Sequence, residues 1–280
     1  MKIVSRYIFL SVILVLSLSF TANEALNESD AEDVYKRLNE SVSAIKSMEF
    51  NLVNYERIGD VLLRGEQHVT LTTSPFQCYI LMIEPSNGEE LIYAGEKYDF
   101  QAVYEPNGFP YLQFELDPMG DLMRKNNHHT IFDLGFNSMM KMLNFHMAES
   151  QHKLEVIDVV LDDKEAYKLS IDFIKFTYRS YEIVEKESIS DLAERLMLND
   201  YMLALLNDKE ISDILKVGSE ITIPTSYAKK IELFIDKKNG LPFSQKVFDD
   251  KGLYEHYEFS ELVVNRPVSE DRFNSDFLGK

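Results

Sequence analysis

Two adjacent histidines, His128 and His129, are the residues whose type most readily suggests chemistry in this sequence. Asp133 follows shortly after them and could add a third metal ligand. Neighbouring histidines rarely reach one ion, and no second pair of ligands has the spacing of a zinc site. Asn126-Asn127 come directly before them, which favours a helix boundary at this point. We therefore predict no metal and no cofactor.

The remaining residues that could support catalysis are scattered. His68, His146, His152 and His256 form no recognisable group, and the sequence contains no nucleophile elbow, phosphate-binding loop or dinucleotide fingerprint. With 47 acidic residues in the chain, close pairs of carboxylates arise by chance. The single cysteine, Cys78, lies in an apolar run that predicts a buried thiol. The sequence therefore predicts a protein that is not an enzyme.

Composition limits the class of partner. The chain has 280 residues and is 45% hydrophobic, which is enough to build a core. Its formal net charge of −18 argues against binding to nucleic acid or to an anionic membrane surface through basic residues. We predict no nucleic-acid partner.

The first residues have the pattern of an export signal. Lys2 and Arg6 precede the apolar run Ile8–Phe20, and small residues follow it. We predict a signal peptide over residues 1–22, whose cleavage leaves no transmembrane span, and an exported protein of the periplasm or cell envelope. An uncleaved anchor is the alternative.

The chain ends in a predicted antiparallel meander. Ile231, Leu233 and Ile235 alternate with polar residues, and Asn239-Gly240 permits a tight reversal. The predicted strands are Ile231–Ile235, Phe243–Phe248 and Leu253–Val264.

A helix and a run of strands open the mature chain. Ser29 and Glu32 have the spacing of a capping box, and apolar residues at helical spacing follow. Turn-forming residues then separate segments with strand character. These segments are Phe50–Ile58, Glu66–Thr73, Gln77–Glu84, Glu90–Ala94, Tyr98–Tyr104 and Tyr111–Leu116, with Leu154–Val160 and Tyr167–Tyr178 further on.

A methionine-rich helix is predicted over Asp121–His152. Because methionine is flexible and polarisable, such a helix either fills the core or lines a pocket for a flexible apolar ligand. On the second reading, strand alternation and helical spacing give the pocket wall. That wall is Phe50, Leu52, Tyr79, Leu81, Phe100, Phe114, Met139, Met142 and Phe145.

The order of elements and several short motifs resemble the bacterial lipoprotein-carrier (LolA-like) superfamily, and more closely an uncharacterised family of exported bacterial proteins. The motifs are Ser74-Pro75-Phe76, Glu84-Pro85 with Gly88, Asn107–Tyr111, His128–Thr130, and Leu233–Pro242 with the turn after it. The resemblance implies an α+β fold: a curved antiparallel sheet, open as a half-barrel and covered by helices, that holds an apolar cavity. It covers about Glu32 to Phe273, with one interruption, so we expect residues 26–180 and 225–280 to form one discontinuous domain.

The interruption, residues 181–224, has its own pattern of strand, helix, helix, strand. This β-α-α-β insert is similar to a LysM module, which binds peptidoglycan or chitin. The matching positions are Tyr181, Ile183, Ile189, Leu192-Ala193, Leu203, Asn207, Leu215, Gly218, Ile221 and Ile223-Pro224. We expect the ends of the insert to lie together, and its replacement by a short turn to leave the rest folded.

The resemblance to LysM places a glycan groove on two loops of the insert. Its residues are Glu187, Ser188, Ile189, Asn207, Leu215, Lys216, Val217 and Gly218. Lys186 stands where the family usually has glycine, so the insert either binds glycan or is purely structural.

Three functions remain open on the sequence alone. The first is an exported protein that binds a lipid or a lipoprotein acyl chain and is docked to peptidoglycan by its insert. The second is a non-catalytic, peptidoglycan-associated structural protein with a filled core, and the third is an envelope hydrolase. A continuous apolar cavity favours the first, whereas a cleft with carboxylates or histidines of strongly shifted pKa favours the third.

Overall fold

An N-terminal helix and six strands form the first half of the fold. The computed structural model describes residues 28–86, 88–109, 111–161 and 163–279. The predicted signal peptide, 1–22, lies outside them, and so does the side chain of Ser29 in the predicted capping box. The elements are α1 (Glu28–Ser43), β1 (Ser47–Ile58), β2 (Val61–Thr73), β3 (Phe76–Glu84), β4 (Glu89–Tyr93), β5 (Ala102–Glu105) and β6 (Phe114–Leu116).

The methionine-rich segment is a broken helix. A short helix α2 (Asp121–Arg124) is followed by a 3-10 turn at Ile131–Asp133 and then by α3 (Asn137–Glu149). The prediction of one helix over Asp121–His152 was therefore wrong in its centre. Asn126 and Gly135 adopt positive φ angles of 60° and 83°, which an α-helix does not contain.

The second half of the fold carries the insert between two paired strands. Its elements are β7 (His152–Leu161), β8 (Lys164–Phe173), β9 (Tyr178–Glu182), α4 (Ile189–Leu196), α5 (Asp200–Leu206), β10 (Glu220–Pro224), β11 (Lys230–Asp236), β12 (Pro242–Asp249) and β13 (Gly252–Val264). Strand β8 pairs with β11, and Tyr178 pairs with Pro224, so the two ends of the insert lie together.

The described residues form one large antiparallel sheet and the two-stranded sheet of the insert. The large sheet has the strand order β6-β5-β4-β3-β2-β1-β13-β12-β11-β8-β7. Strands β6 and β7 stay unpaired with each other, so the sheet is curved but not closed into a barrel. This confirms the predicted fold class of an open antiparallel sheet with covering helices. At its centre, β1 pairs with β13, which joins the two ends of the chain.

The two faces of the sheet are covered by different parts of the chain. Helix α1 packs on β7, β8 and α3, and this side of the sheet holds the main core, with Phe50, Leu71 and Leu169 fully buried. On the opposite face, Tyr79 and Ile92 pack against Phe273 of the C-terminal segment. Strands β3 to β5 are therefore buried on both faces.

The insert has a small core of its own but also joins the main one. Ile183, Leu192 and Leu203 pack inside the insert. Met202 of α5 belongs instead to the main core, and Leu206 packs against it. Excision of the insert would therefore also remove two side chains that pack in the main core, and its effect on folding stays a prediction.

Candidate ligand-binding cavity

A cavity of about 660 Å³ lies between the core-facing side of the sheet, the methionine-rich segment and the insert. This volume is within the range of about 300–1,000 Å³ that is typical of small-molecule sites. The apolar part of its wall combines residues from the strands, the broken helix and the insert. These are Leu52, Ile80, Met82, Leu91, Met119, Met123, Ile131, Phe132, Leu134, Met139, Met142, Ala193, Met197, Leu198 and Phe259.

The predicted pocket residues fall into three groups. Leu52, Met139 and Met142 line the cavity. Phe50 lies behind it in the core, with its ring 5.6 Å from that of Phe259, and Phe145 is half-buried beside His146.

Four predicted pocket residues lie away from the cavity. Tyr79 and Leu81 lie on the opposite face of the sheet. The C-terminal segment buries that face as well, so alternation in β3 does not show which apolar residues face the cavity. Phe100 and Phe114 are 58% and 47% exposed.

One end of the cavity is polar and centres on two buried carboxylates. Glu56 of β1 and Glu255 of β13 are direct cross-strand partners, and both are almost completely buried. Like charges in this position repel each other, so each carboxylate needs donors. Glu56 accepts hydrogen bonds from the Tyr257 hydroxyl at 2.8 Å and the His128 backbone N–H at 2.6 Å. The Tyr227 hydroxyl donates to Glu255 at 3.0 Å.

His128 is clamped inside this polar end. Its Nδ1 lies 2.9 Å from Glu255 Oε1, and its Nε2 donates to the Arg57 carbonyl at 3.0 Å. Its ring lies between those of Tyr201 and Tyr254, at 4.9 and 4.3 Å. His128 is therefore a structural residue whose ring nitrogens are both engaged.

His129 faces the cavity, where about a third of its side chain is exposed. Its Nε2 lies 3.4 Å from Glu255 Oε1, and its Nδ1 lies 3.8 Å from Asp133 Oδ2. Burial alone would lower the pKa of His129, but the charge of Glu255 and the contact with Asp133 outweigh burial and raise this pKa well above its usual value.

The pKa values of the acidic partners of His129 are shifted in the opposite direction. Burial would raise the pKa of Glu255, but the positive charge of His129 and the hydrogen bond from His128 outweigh it and lower this pKa to about 2. The pKa of Asp133 is also lowered, because His129 and Thr130 outweigh burial. These groups form a fixed ion cluster. A general acid or base works best with a pKa near the working pH. The raised pKa of His129 and the lowered pKa values of Glu255 and Asp133 instead favour the charged form of each group.

Asn199, between the two helices of the insert, joins the insert to the polar end. Its side-chain amide donates to the His128 carbonyl at 3.2 Å and accepts from the Tyr254 hydroxyl at 3.0 Å. Its oxygen also accepts from the Met202 N–H, which caps α5. One amide therefore begins a helix of the insert and holds the cavity wall.

Three further contacts fix the insert to the body. The Tyr201 hydroxyl accepts from the Gly59 N–H at 2.8 Å, and His146 Nε2 donates to the Met197 carbonyl at 2.8 Å. Arg124 Nη2 forms an ion pair with Asp200 Oδ1 at 2.7 Å. Residues 190–200 of the insert therefore form one wall of the cavity.

Sequence reasoning missed the polar end, although a signal for it exists in β1. The inward-facing positions of this strand run from Phe50 and Leu52 to Asn54 and Glu56, so the period continues while the residue type changes from apolar to polar. A polar residue at a core-facing position of a strand indicates a buried site.

Most of the predicted glycan groove serves the internal structure of the insert. Glu187 pairs with Arg195 at 2.5 Å, and Ser188 caps α4. The Asn207 amide donates to two backbone carbonyls. Ile189 and Leu215 are buried, whereas Lys216 and Val217 are exposed beside Gly218, which has a φ of 77°. The likeness of the insert to a LysM module stays a prediction.

The described residues contain no group of three or more His, Cys, Asp or Glu side chains arranged to hold a metal ion. No described helix is both long and apolar enough to cross a membrane.

The family described as "Protein of unknown function (DUF1571)" matches residues 45–199. The chain belongs to this family. The predicted relation to an uncharacterised family is thereby confirmed. The matched residues of this DUF1571 chain run from β1 through the methionine-rich segment to Asn199, so they contain most of the cavity wall.

The DUF1571 chain is similar to several solved structures at low identity. The complex of MucA and MucB from Pseudomonas aeruginosa matches with 15% identity and a TM-score of 0.44, over 88% of this chain and 61% of that chain. The lipoprotein LppX from Mycobacterium tuberculosis matches with 8% identity and a TM-score of 0.41, over 87% and 99%. A LolA superfamily protein from Nitrosomonas europaea matches with 12% identity and a TM-score of 0.34, over 89% and 99%. No curated protein matches the sequence.

Proposed function

We propose that this protein is an exported, non-catalytic binding protein that holds a lipid or the acyl chain of a lipoprotein in its cavity. The observation that carries the proposal is the apolar part of the cavity wall, which six methionines line: Met82, Met119, Met123, Met139, Met142 and Met197. Flexible, polarisable side chains adapt to a chain of variable shape. Shifted pKa values at a cleft are also a sign of a hydrolase, but here the pKa of His129 is raised and those of Glu255 and Asp133 are lowered. Shifts in these directions stabilise the charged forms of an ion cluster, so we favour a binding role over the hydrolase alternative.

A fluorescent fatty-acid probe tests this proposal. We expect dansyl-undecanoic acid to bind the mature protein, and Met142→Lys to weaken binding by about tenfold or more, because a buried charge in an apolar wall is costly. Val160→Lys is the control, because Val160 lies on β7 with 71% of its surface exposed and should leave binding unchanged. Binding no stronger than to an unrelated acidic protein would refute the proposal.

We further propose that the insert docks the protein to peptidoglycan. The strand-helix-helix-strand order and the exposed loop with Lys216 and Val217 support this second part. Excision of the insert would also open the cavity, so a surface variant is the better test. We expect Val217→Asp to reduce retention on peptidoglycan, with Ile174→Asp, outside the insert, as the control. Equal retention of both variants and the wild type would refute the docking role.

A further inference from the structure

Arg124 borders the cavity with most of its hydrogen-bonding capacity unused. Only 5% of its side chain is exposed, and its ion pair with Asp200 uses Nη2. Among the described residues, neither Nε nor Nη1 has an acceptor. An arginine carries five N–H donors, and leaving buried donors unpaired is costly. Arg124 therefore has unpaired N–H donors at the wall of the cavity.

The nearby carboxylates of the protein are engaged with other donors. Asp200 already shares its other oxygen with the Ser190 hydroxyl at 3.4 Å. The two buried carboxylates of the polar end, Glu56 and Glu255, take their donors from His128 and from tyrosines. A ligand in the cavity could supply the acceptor that Arg124 lacks among the described residues.

Arginine suits carboxylate and phosphate groups because its planar donors match their oxygens. Two further cations border the same cavity: His129, within its ion cluster, and Lys141, whose side chain is exposed. Four carboxylates also border it: Asp200 is paired with Arg124, Glu56 and Asp133 accept the hydrogen bonds described above, and Glu194 is exposed. The methionines and other apolar residues form the apolar part of the wall.

We propose that Arg124 binds the oxyanion of an acidic amphiphile, a carboxylate or phosphate carried on an apolar chain that lies along the methionine-lined wall. This inference rests on the proposed lipid-binding function and adds its chemical class of ligand. It makes Arg124 the residue that distinguishes acidic lipids from neutral ones.

The test compares two probes with the same apolar chain, dansyl-undecanoic acid, which carries a negative charge, and its neutral methyl ester. The wild-type protein should bind the acid about tenfold more tightly or better, as expected for a charge-assisted hydrogen bond in a buried site. Lysophosphatidic acid should displace the acid probe, and monoacylglycerol should displace it less well.

Two variants separate anion binding from a structural role of the Arg124–Asp200 pair. The double variant Arg124→Met/Asp200→Asn leaves no carboxylate unpaired, and we expect it to bind acid and ester equally. The single variant Asp200→Asn keeps the guanidinium, so we expect its preference for the acid to persist or increase. Circular dichroism and thermal unfolding establish that both variants are folded.

The outcomes separate the two levels of the proposal. Failure of both probes to bind the wild type would overturn lipid binding and this inference together. Binding of both probes with equal affinity would overturn only the inference. Full retention of the preference for the acid in the double variant would show that Arg124 does not bind the oxyanion and would overturn the inference too. Displacement of the acid probe by inorganic phosphate alone would assign the site to a free anion instead.

Discussion

The two ends of the cavity are built by the same pair of strands, yet they differ in polarity and in how their side chains are held. At the apolar end, Leu52 of β1 lies opposite Phe259 of β13, and at the polar end Glu56 lies opposite Glu255. The apolar end meets flexible methionines, whereas the side chains of the polar end are held by hydrogen bonds and stacked rings. The comparison teaches that one end can adapt to a ligand, while the other fixes the body and the insert in register.

The largest expected effect breaks the polar end. Glu255→Gln removes the carboxylate that faces His128, His129 and Tyr227. We expect a loss of about 3–5 kcal/mol in the free energy of unfolding, since the variant removes a buried carboxylate that accepts several hydrogen bonds and is one of the two acidic partners of His129. Urea denaturation measures this.

Glu258→Gln is the matched control for that loss. Glu258 lies on the same strand but is largely exposed, so we expect a change of about 0.5 kcal/mol or less. Similar effects for the two variants would mean that the polar end does not stabilise the fold.

A second variant pair asks whether the insert belongs to the polar end. Asn199→Ala and Ser188→Ala each remove a helix cap, which costs about 1 kcal/mol. Asn199→Ala also breaks hydrogen bonds to His128 and Tyr254, so we expect a total loss of about 2–3 kcal/mol.

The two variants should also differ in their affinity for the fluorescent probe. Only Asn199→Ala should weaken binding of the fluorescent fatty acid, because Ser188 lies outside the cavity wall. Equal losses of stability and binding in both variants would argue that the insert is an independent module.

The smallest effect sharpens the comparison through pH. The pKa of His129 is raised, so its stabilising contribution is complete below about pH 6.5 and declines as the pH rises through the folded-state pKa. The pKa of Glu255 is lowered to about 2, so its contribution is complete above about pH 4.5 and is lost as the pH falls towards 2.

The difference in unfolding free energy between wild type and His129→Gln should therefore be largest between about pH 4.5 and 6.5. The groups that face the His129 ring are Glu255, Asp133, Tyr227 and Tyr257. The same difference at strongly alkaline pH as at mildly acidic pH would contradict an ion cluster at this position.

The features predicted from sequence are those that depend on local pattern. The C-terminal meander follows from alternation in Ile231–Ile235 and the reversal at Asn239-Gly240. The strand, helix, helix, strand order within the insert follows from short segments that each have the local pattern of a strand or a helix. The open antiparallel sheet follows from the order of such segments.

The features that sequence reasoning missed depend on contacts distant in the chain. Tyr79 was placed in the pocket because nothing local shows that Phe273 covers the opposite face. The polar end requires the pairing of β1 with β13, which brings Glu56 beside Glu255 from opposite ends of the chain. Asn199 lies outside the two loops predicted to bind glycan. Its hydrogen bond to His128, which is distant in the chain, gives no local signal in the sequence.

Native mass spectrometry of the mature protein, isolated from cells without detergent, tests the central claim most directly. We predict a species heavier than the polypeptide by the mass of an acidic lipid or acyl chain, released on activation and depleted in Met142→Lys. A wild-type protein that carries no lipid on isolation and takes up no added oleate would contradict the account.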